Sequence, residues 1–475
     1  MSVEQVRAVS ETEFKKYKID PLLMEAEQLR RDRKPDEALT IVAHFMNDHF
    51  DDIPALTLAA HILIDCGRIG IAQPILQHAA KIDPGSEVVW NNLGLCYWET
   101  HQLEEAERCY IKSLSRNPAF ADALNNLSQL YNWMGQPHKA INCADKAIKA
   151  NPKIHELAYN RGVALLTQGN YREGWKGYEF NLGKHAGRKE RVYGTIPRWT
   201  GVNGLTVIAY GEQGIGDEIS FASCIPDLQR GGAEGQNKVV IECDSRLVGL
   251  FKRSFNCTVH GTRYKKQVDW PIKDGADASV AFGSLPGFYR NEVSEFPGTP
   301  YLVADPQRRI MWKSLLESLG PKLKVGLAWT GGLKKTGDFL RSLTLKDMEP
   351  IWRQDATFIS LQYKDAPEVE EVERDTGIKI HHFPHATQTQ DMDDQVALMA
   401  ELDLVITVQQ TAVHIGGGLG IPTWVLIPKN PLWRYGLTGT TMPWYKSCRL
   451  YRQKSHWMHT IAEVAVDLRK LIASK

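Results

Sequence analysis

Residues 87–120 read EVVWNNLGLCYWETHQLEEAERCYIKSLSRNPAF, and the chain returns to this pattern every 34 residues. Pro84, Pro118 and Pro152 are spaced by that interval. Within the quoted unit Trp90, Leu93, Gly94 and Tyr97 occupy a first amphipathic stretch, Ala106 and Tyr110 a second, and Pro118 closes it. The unit that follows supplies Leu124, Leu127, Ser128, Tyr131, Ala140, Ala147 and Pro152 in the same places, and the one before supplies Leu56, Ala59, Ala60, Leu63, Ala72, Ala79 and Pro84. Small residues at the eighth and twentieth positions let two antiparallel helices approach closely. The proline then stops the second helix before the next begins.

Period and residue types together match the tetratricopeptide pattern, in which stacked helical hairpins bury a continuous core. A weaker unit begins near Ile19 (Leu22, Ala26, Leu29, Ala38), and a last one begins at His155 with Gly162, Gly169 and Tyr178 in place. About four and a half repeats are expected over residues 19–188, after an extension of residues 1–18.

The remaining composition sets bounds. A chain of 475 residues is too long for one core and predicts two or three domains. Fifty-seven basic residues against 56 acidic ones leave no broad field for nucleic acid or an anionic membrane, so a nucleic-acid partner is not indicated. The eight cysteines are scattered without a CxxC pair and read as reduced core thiols of a cytoplasmic protein. No apolar run reaches the length of a signal peptide or a membrane span.

After a linker at 189–204 the texture changes to short β-branched runs, glycine-rich turns and amphipathic stretches, the alternation of an α/β fold. One block, 205–305, holds candidate strands at 206–210, 239–243 and 278–282. A second, 306–475, holds candidates at 324–329, 357–361, 378–382, 404–408 and 423–427. Two such halves form a cleft at the carboxyl ends of their strands, where ligands bind. The clearest local signal is DLVITVQQTAVHIGGGLGIPTWVL, residues 403–426. A buried strand enters a polar turn and then a helix whose free N–H groups suit a phosphate. Gln409, Gln410 and Thr411 stand where they would donate, and Gly416, Gly417 and Gly418 would let a ligand approach; the glycines serve equally for tight helix packing.

Further stretches are GEQGIGDE (211–218), ASCIP (222–226), KVGLAWTGG (324–332) and FISLQ (358–362). With the run ending at Gly420 they make the segment from about 205 to 470 resemble the heptosyltransferase-like glycosyltransferases, which have the GT-B architecture of two facing Rossmann-like domains. The tail WYKSCRLYRQ (444–453) is similar to the ending of bacterial proteins that join tetratricopeptide repeats to such a module. The resemblance implies a nucleotide-diphosphate sugar as donor substrate, with no further cofactor and no metal. It implies donor contacts from Gly214, Gly216, Thr330, Gly331 and Gln362, and from Gln409, Gln410, Thr411, His414, Gly416 and Gly417. Where that family commonly has Asp-Thr before the histidine, this chain has Gln409-Gln410 and then Thr411. An amide still donates to a diphosphate and removes a repelling carboxylate.

An inverting sugar transfer needs a base for the acceptor hydroxyl and a stabilised leaving group. Asp217 matches the residue the resemblance assigns as base, with Glu218 as its alternative; either also reads as a helix cap. Lys334 and Lys335, with Arg341 beyond them, are the expected cations for the diphosphate, and Asp391, Asp393 and Asp394 read as a helix start and not as a metal motif. His414 either faces the phosphates or packs beneath them.

Asn92, Asn126 and Asn160 share the sixth position of successive repeats. Amides repeated along a groove suit the backbone of an extended peptide. This resembles the asparagine ladder of the O-linked N-acetylglucosamine transferases, and asparagine is also common there in ordinary repeats. The expected function is therefore an inverting glycosyltransferase whose repeats select a protein or peptide acceptor, or, failing catalysis, a repeat scaffold with a degenerate transferase module; lipid, polysaccharide and nucleic-acid acceptors rank lower.

Overall fold

The computed structural model describes residues 20–150, 155–183, 187–232, 235–332, 338–363, 366–388 and 391–474. The extension 1–18, Pro152, Lys334 and Lys335 lie outside the described residues. The chain forms two compact units, one ending at Leu165 and one running from Leu166.

The first unit is a helical solenoid. Its hairpins are α1 (Pro21–Arg31) with α2 (Pro35–Asp48), α3 (Ile53–Asp65) with α4 (Ile69–Ile82), α5 (Glu87–Glu99) with α6 (Leu103–Arg116), and α7 (Ala121–Trp133) with α8 (Pro137–Ala150). Then comes α9 (His155–Thr167), within which the boundary between the units falls. Several first helices are started by a side chain that accepts an otherwise orphaned N–H. Asp20 accepts from Leu22 N at 2.9 Å, Asp52 from Ala55 N at 2.8 Å and Ser86 from Val89 N at 3.3 Å. The eighth position is small because a helix passes over it: a Cβ on Gly94 would stand 2.7 Å from the fully buried ring of Tyr110.

A second periodicity lies in the turns. Arg33, Gly67, His101, Gly135 and Gly169 recur at the 34-residue interval, and each has a positive φ, between +61° and +79°. The hairpin needs one left-handed residue to reverse direction. Three repeats supply glycine, while Arg33 and His101 hold a conformation that side chains disfavour.

The second unit carries two sheets. The first has the order β3-β2-β1-β4, all parallel, from β1 (Thr206–Tyr210), β2 (Lys238–Glu242), β3 (Thr258–His260) and β4 (Ala278–Ala281). The second has the order β10-β11-β9-β8-β5-β6-β7. Its strands are β5 (Lys324–Ala328), β6 (Thr357–Ser360), β7 (Ile380–His382), β8 (Leu404–Val408), β9 (Thr423–Ile427), β10 (Thr441–Met442) and β11 (Tyr445–Arg452), and only the β10–β11 pairing is antiparallel. In each sheet the order reverses beside the first strand, between β1 and β4 and between β5 and β8. Such reversal points open a crevice above the strand ends.

Every residue of β5 and β8 is buried, as expected of central parallel strands, and Val325, Leu327, Ile406 and Val408 anchor the larger core. β3 and the β10–β11 pair were not among the sequence candidates. β3 has only three residues, too few to express a period, and charged residues interrupt β11 (YKSCRLYR). Residues 189–204, expected as a linker, are docked on the first sheet. Arg191 donates twice to Glu242 at 2.9 and 3.1 Å, Tyr193 donates to the same carboxylate at 2.6 Å, and Trp199 N donates to Ser279 O at 2.8 Å.

Replacing His101 by glycine should raise stability by about 0.5–1 kcal/mol by relieving the left-handed strain. Urea unfolding of His101→Gly reads the gain; an unchanged or lower midpoint would count against strain at this turn.

Candidate functional site

The site is built where helices from the two sheets of the second unit meet. After β1 the chain turns through Gly211–Gly214 into α11 (Ile215–Ala222), and after β8 it turns through Gln409–Gln410 into α12 (Thr411–Leu419). The helices touch at their N-terminal turns through Gly216. A Cβ on it would stand 3.2 Å from the His414 ring and 3.3 Å from Thr411 Oγ1. The segment joining the sheets runs along α12, with Tyr301 N and Leu302 N both donating to Gly418 O at 2.9 Å.

Asp217 occupies the first turn of α11. Its Oδ2 accepts from Gly214 N at 3.2 Å, and its Oδ1 lies 2.6 Å from Nη2 of Arg434. The carboxylate therefore caps its helix and also faces the opposite sheet's loops. Arg434, on the turn after β9, is 8% exposed, and its guanidinium lies over the rings of Phe221 at 4.7 Å and Trp433 at 4.5 Å. Aromatic faces attract a desolvated guanidinium.

His414 is 7% exposed, and its Nδ1 is 3.2 Å from the Tyr445 hydroxyl. Burial, with Arg434 adding to it, pushes its pKa down to about 3, against the weaker pull of Asp217. The ring is neutral at ordinary pH. Gln409 is 2% exposed; its Oε1 accepts from Leu432 N at 3.4 Å, and its Nε2 has no partner among the described residues. Gln410 Nε2 donates to Thr407 Oγ1 at 3.2 Å. Across the β5–β8 reversal, a Cβ on Gly331 would meet Gln409 O and Gln410 Cβ at 2.8 Å, so this turn is held against the start of α12. Thr330 N donates to Gln362 Oε1 at 3.4 Å, and Arg341 Nε donates to Gly331 O at 3.3 Å.

Thus Gly214, Gly216, Asp217, Gln409, Gln410, Thr411 and His414 come together, with Thr330 and Gly331 on the turn after β5 and Gln362, bonded to Thr330, on the turn after β6. Others make different contacts. Glu218 is 1% exposed, accepts from Asp244 N at 3.0 Å and pairs with Arg263. Burial lifts its pKa to about 7, against the opposing effect of Arg263. Gly416 and Gly417 are packing glycines inside α12: added Cβ atoms would stand 2.4 Å from Thr423 Oγ1 and 2.2 Å from the Tyr445 ring. Close approach here serves protein atoms. Asp391 and Asp394 pair with Arg308 at 2.9 and 2.6 Å, and Asp393 pairs with Arg253.

The asparagines form a ladder that runs within the solenoid. Asn126 Nδ2 donates to Asn91 Oδ1 at 3.0 Å, and Asn160 Nδ2 donates to Asn125 Oδ1 at 2.7 Å. Asn126 and Asn160 thus join the sixth position of one repeat to the fifth of the repeat before, while Asn92 Oδ1 accepts from Asn91 Nδ2 at 3.3 Å within its own repeat. Asn92 and Asn160 are 2% and 5% exposed, so both are buried in the solenoid, and the amides of Asn126 and Asn160 are engaged between repeats.

Arg434 was not anticipated from the sequence. Its setting, Trp433-Arg434-Tyr435, marks an arginine among aromatics, but Phe221 and Asp217 join it only through the fold. Nor were the contacts of α10 (Tyr171–Glu179), which belongs to the sheet-bearing unit. Its Trp175 ring lies 5.3 Å from Trp433, Trp175 Nε1 donates to Arg290 O at 2.7 Å, and Tyr178 OH donates to Gln213 Oε1 at 2.7 Å. A cavity of about 430 Å³ beside it is lined by Trp175, Lys176, Trp199, Tyr210 and Phe288.

Fold and sequence define a tetratricopeptide-repeat protein that continues into a parallel α/β region. Models of the tetratricopeptide repeat match residues 88–120 and 134–173. The chain is similar over most of its length to Protein FlbA of Caulobacter vibrioides, with 29% identity over 464 residues, 93% of this chain and 76% of FlbA. The TPR repeat-containing protein YvcD of Bacillus subtilis is 26% identical over 117 residues, 25% of this chain and 24% of YvcD. Among solved structures, MamA from Desulfovibrio magneticus RS-1 is 18% identical and aligns with 33% of this chain and 89% of its own at a TM-score of 0.30. No helix among the described residues is long and apolar enough to cross a membrane.

Two outcomes follow from this geometry. Asn160→Ala should cost about 1 kcal/mol in urea unfolding, without any peptide present, because it leaves Asn125 Oδ1 without its donor. A neutral effect would remove the ladder's structural role. His414 is held neutral in the fold, with a pKa of about 3 against 6.5 when unfolded. The unfolded chain therefore binds the extra proton, and stability falls as pH drops from about 6.5 toward 3. His414→Gln should flatten part of that acid limb; identical pH profiles for the two proteins would refute the assignment.

Proposed function

We propose that this protein is an inverting, metal-independent glycosyltransferase of GT-B, heptosyltransferase-like architecture, acting in the cytoplasm on a macromolecular acceptor, a protein first. The observation that carries this reading is the meeting of two helix N-termini at the strand-order reversals of two parallel sheets, with Asp217 on one and Gln409, Thr411 and His414 on the other. The chemistry needs that division. Asp217 takes the proton of an acceptor hydroxyl as its oxygen attacks the anomeric carbon, and the bond to the donor's diphosphate breaks on the opposite face. The departing electron pair stays on a phosphate oxygen. The N-terminus of α12, equivalent to about half a positive charge, and Arg434 face that developing charge. Tetratricopeptide repeats support a protein partner, and the aromatic cavity beside α10 suits the acceptor's approach.

A second reading has a specific observation behind it. Both Asp217 oxygens are engaged, by Arg434 and by Gly214 N, as in a carboxylate that only braces the fold. On that reading the chain is a repeat scaffold with a degenerate transferase module.

Incubation with UDP-, GDP- and ADP-linked sugars separates the two. The transferase should slowly release nucleoside diphosphate from one donor, and Asp217→Ala should lower that rate by about 10²–10⁴. No turnover and no thermal shift with any of these donors would leave the scaffold.

A further inference from the structure

Arg434 is a buried cation whose hydrogen-bonding capacity is largely unused. Among the described residues its Nε makes no hydrogen bond, and Nη2 meets Asp217 at 2.6 Å as an ion pair without hydrogen-bond alignment. The Phe221 and Trp433 rings confine the guanidinium, while the Asp217 side chain, 29% exposed, retains access to water. Of the two partners the arginine is the fixed one. A buried guanidinium cannot be left without a counter-ion, so whatever displaces Asp217 has to be an anion.

Two further donors stand on the same elements. Gln409 Nε2, also buried and without a partner among the described residues, belongs to an amide whose oxygen is held by Leu432 N, on the turn that carries Arg434. The first turn of α12 receives no side-chain cap from Gln410, so its N–H groups and the positive end of the helix are not neutralised from that side. A guanidinium, a primary amide and a helix N-terminus form a donor set for phosphate oxygens. A multiply charged phosphate outcompetes a single carboxylate for one arginine.

We infer that Arg434 is the anion-binding residue of this site and that Asp217 is its resident counter-ion, displaced when a diphosphate arrives. This rests on the transferase reading for its purpose: binding of the donor then exposes the base, so that Asp217 accepts a proton only when a leaving group is in place. It also explains how one carboxylate serves both as brace and as base. The exchange is purely ionic, and no bond is made or broken in it.

Calorimetric titration of the full chain with inorganic pyrophosphate tests this without any sugar. The wild type should bind; Arg434→Met should weaken binding at least tenfold; Arg434→Lys, which keeps the charge but not the planar fork, should fall between. Asp217→Asn should tighten binding three- to tenfold, because the competing carboxylate is gone. That gain cannot arise from damaged folding, so it decides the matter if Arg434→Met does not fold. No binding by the wild type, binding by Arg434→Met within twofold of it, or unchanged or weaker binding by Asp217→Asn would each overturn the inference. Arg434-dependent pyrophosphate binding without donor turnover would sink the transferase reading alone. Donor turnover unaffected by Arg434→Met would sink this inference alone.

Discussion

A buried positive charge needs a counter-charge, and in the second unit the Arg434–Asp217 pair meets that need across the junction of the two sheets. The arginine comes from a turn after β9, the aspartate from the helix after β1, and the rings of Phe221 and Trp433 hold the guanidinium in place. Removing Asp217 alone leaves the guanidinium unpaired in a poorly hydrated place, a cost of several kcal/mol. The nearby architecture answers to this pair. Gly216 lets α11 and α12 close on each other, His414 is kept neutral beside the cation, and Gln409 is held by the same turn.

A similar logic binds α10 to the first sheet. Arg188, 2% exposed, donates to Glu212 at 2.9 Å and to Glu179 at 3.1 Å, while Ser284 donates to Glu179 at 2.7 Å. Trp175 and Tyr178 pack on Trp433. The last helix of the repeat pattern is thereby a structural part of the sheet-bearing unit. In the solenoid the comparable device is neutral, amide to amide, and it repeats because the backbone repeats.

Much of the architecture was legible in the chain. The 34-residue period placed the helical hairpins, since a hairpin that packs on its neighbours must repeat its small and large residues in step. Central strands β5, β6, β8 and β9 announced themselves as apolar runs because they are buried on both faces. β3 and β10 did not, being too short to carry a pattern. Within the site, Asp217, Thr411 and His414 could be singled out because each lies in the opening residues of a helix that follows a strand, in stretches that carry the family resemblance. Arg434 was not, since its partners Phe221 and Asp217 are more than two hundred residues away along the chain.

Two motifs had a visible pattern and an undetermined purpose. Asn92, Asn126 and Asn160 stood out by spacing, but only the distances to Asn91 and Asn125 assign the amides of Asn126 and Asn160 to joints between repeats. Gly416 and Gly417 were conspicuous, but only Thr423 and Tyr445 explain why no side chain fits there. The sequence by itself determined the solenoid, the alternation of strands and helices, and the residues at the strand ends, because those follow from local period and residue size. Tertiary structure alone decided which amides face each other, which glycines are packed and which cation Asp217 meets, because those contacts join residues whose nearness arises only when the chain folds.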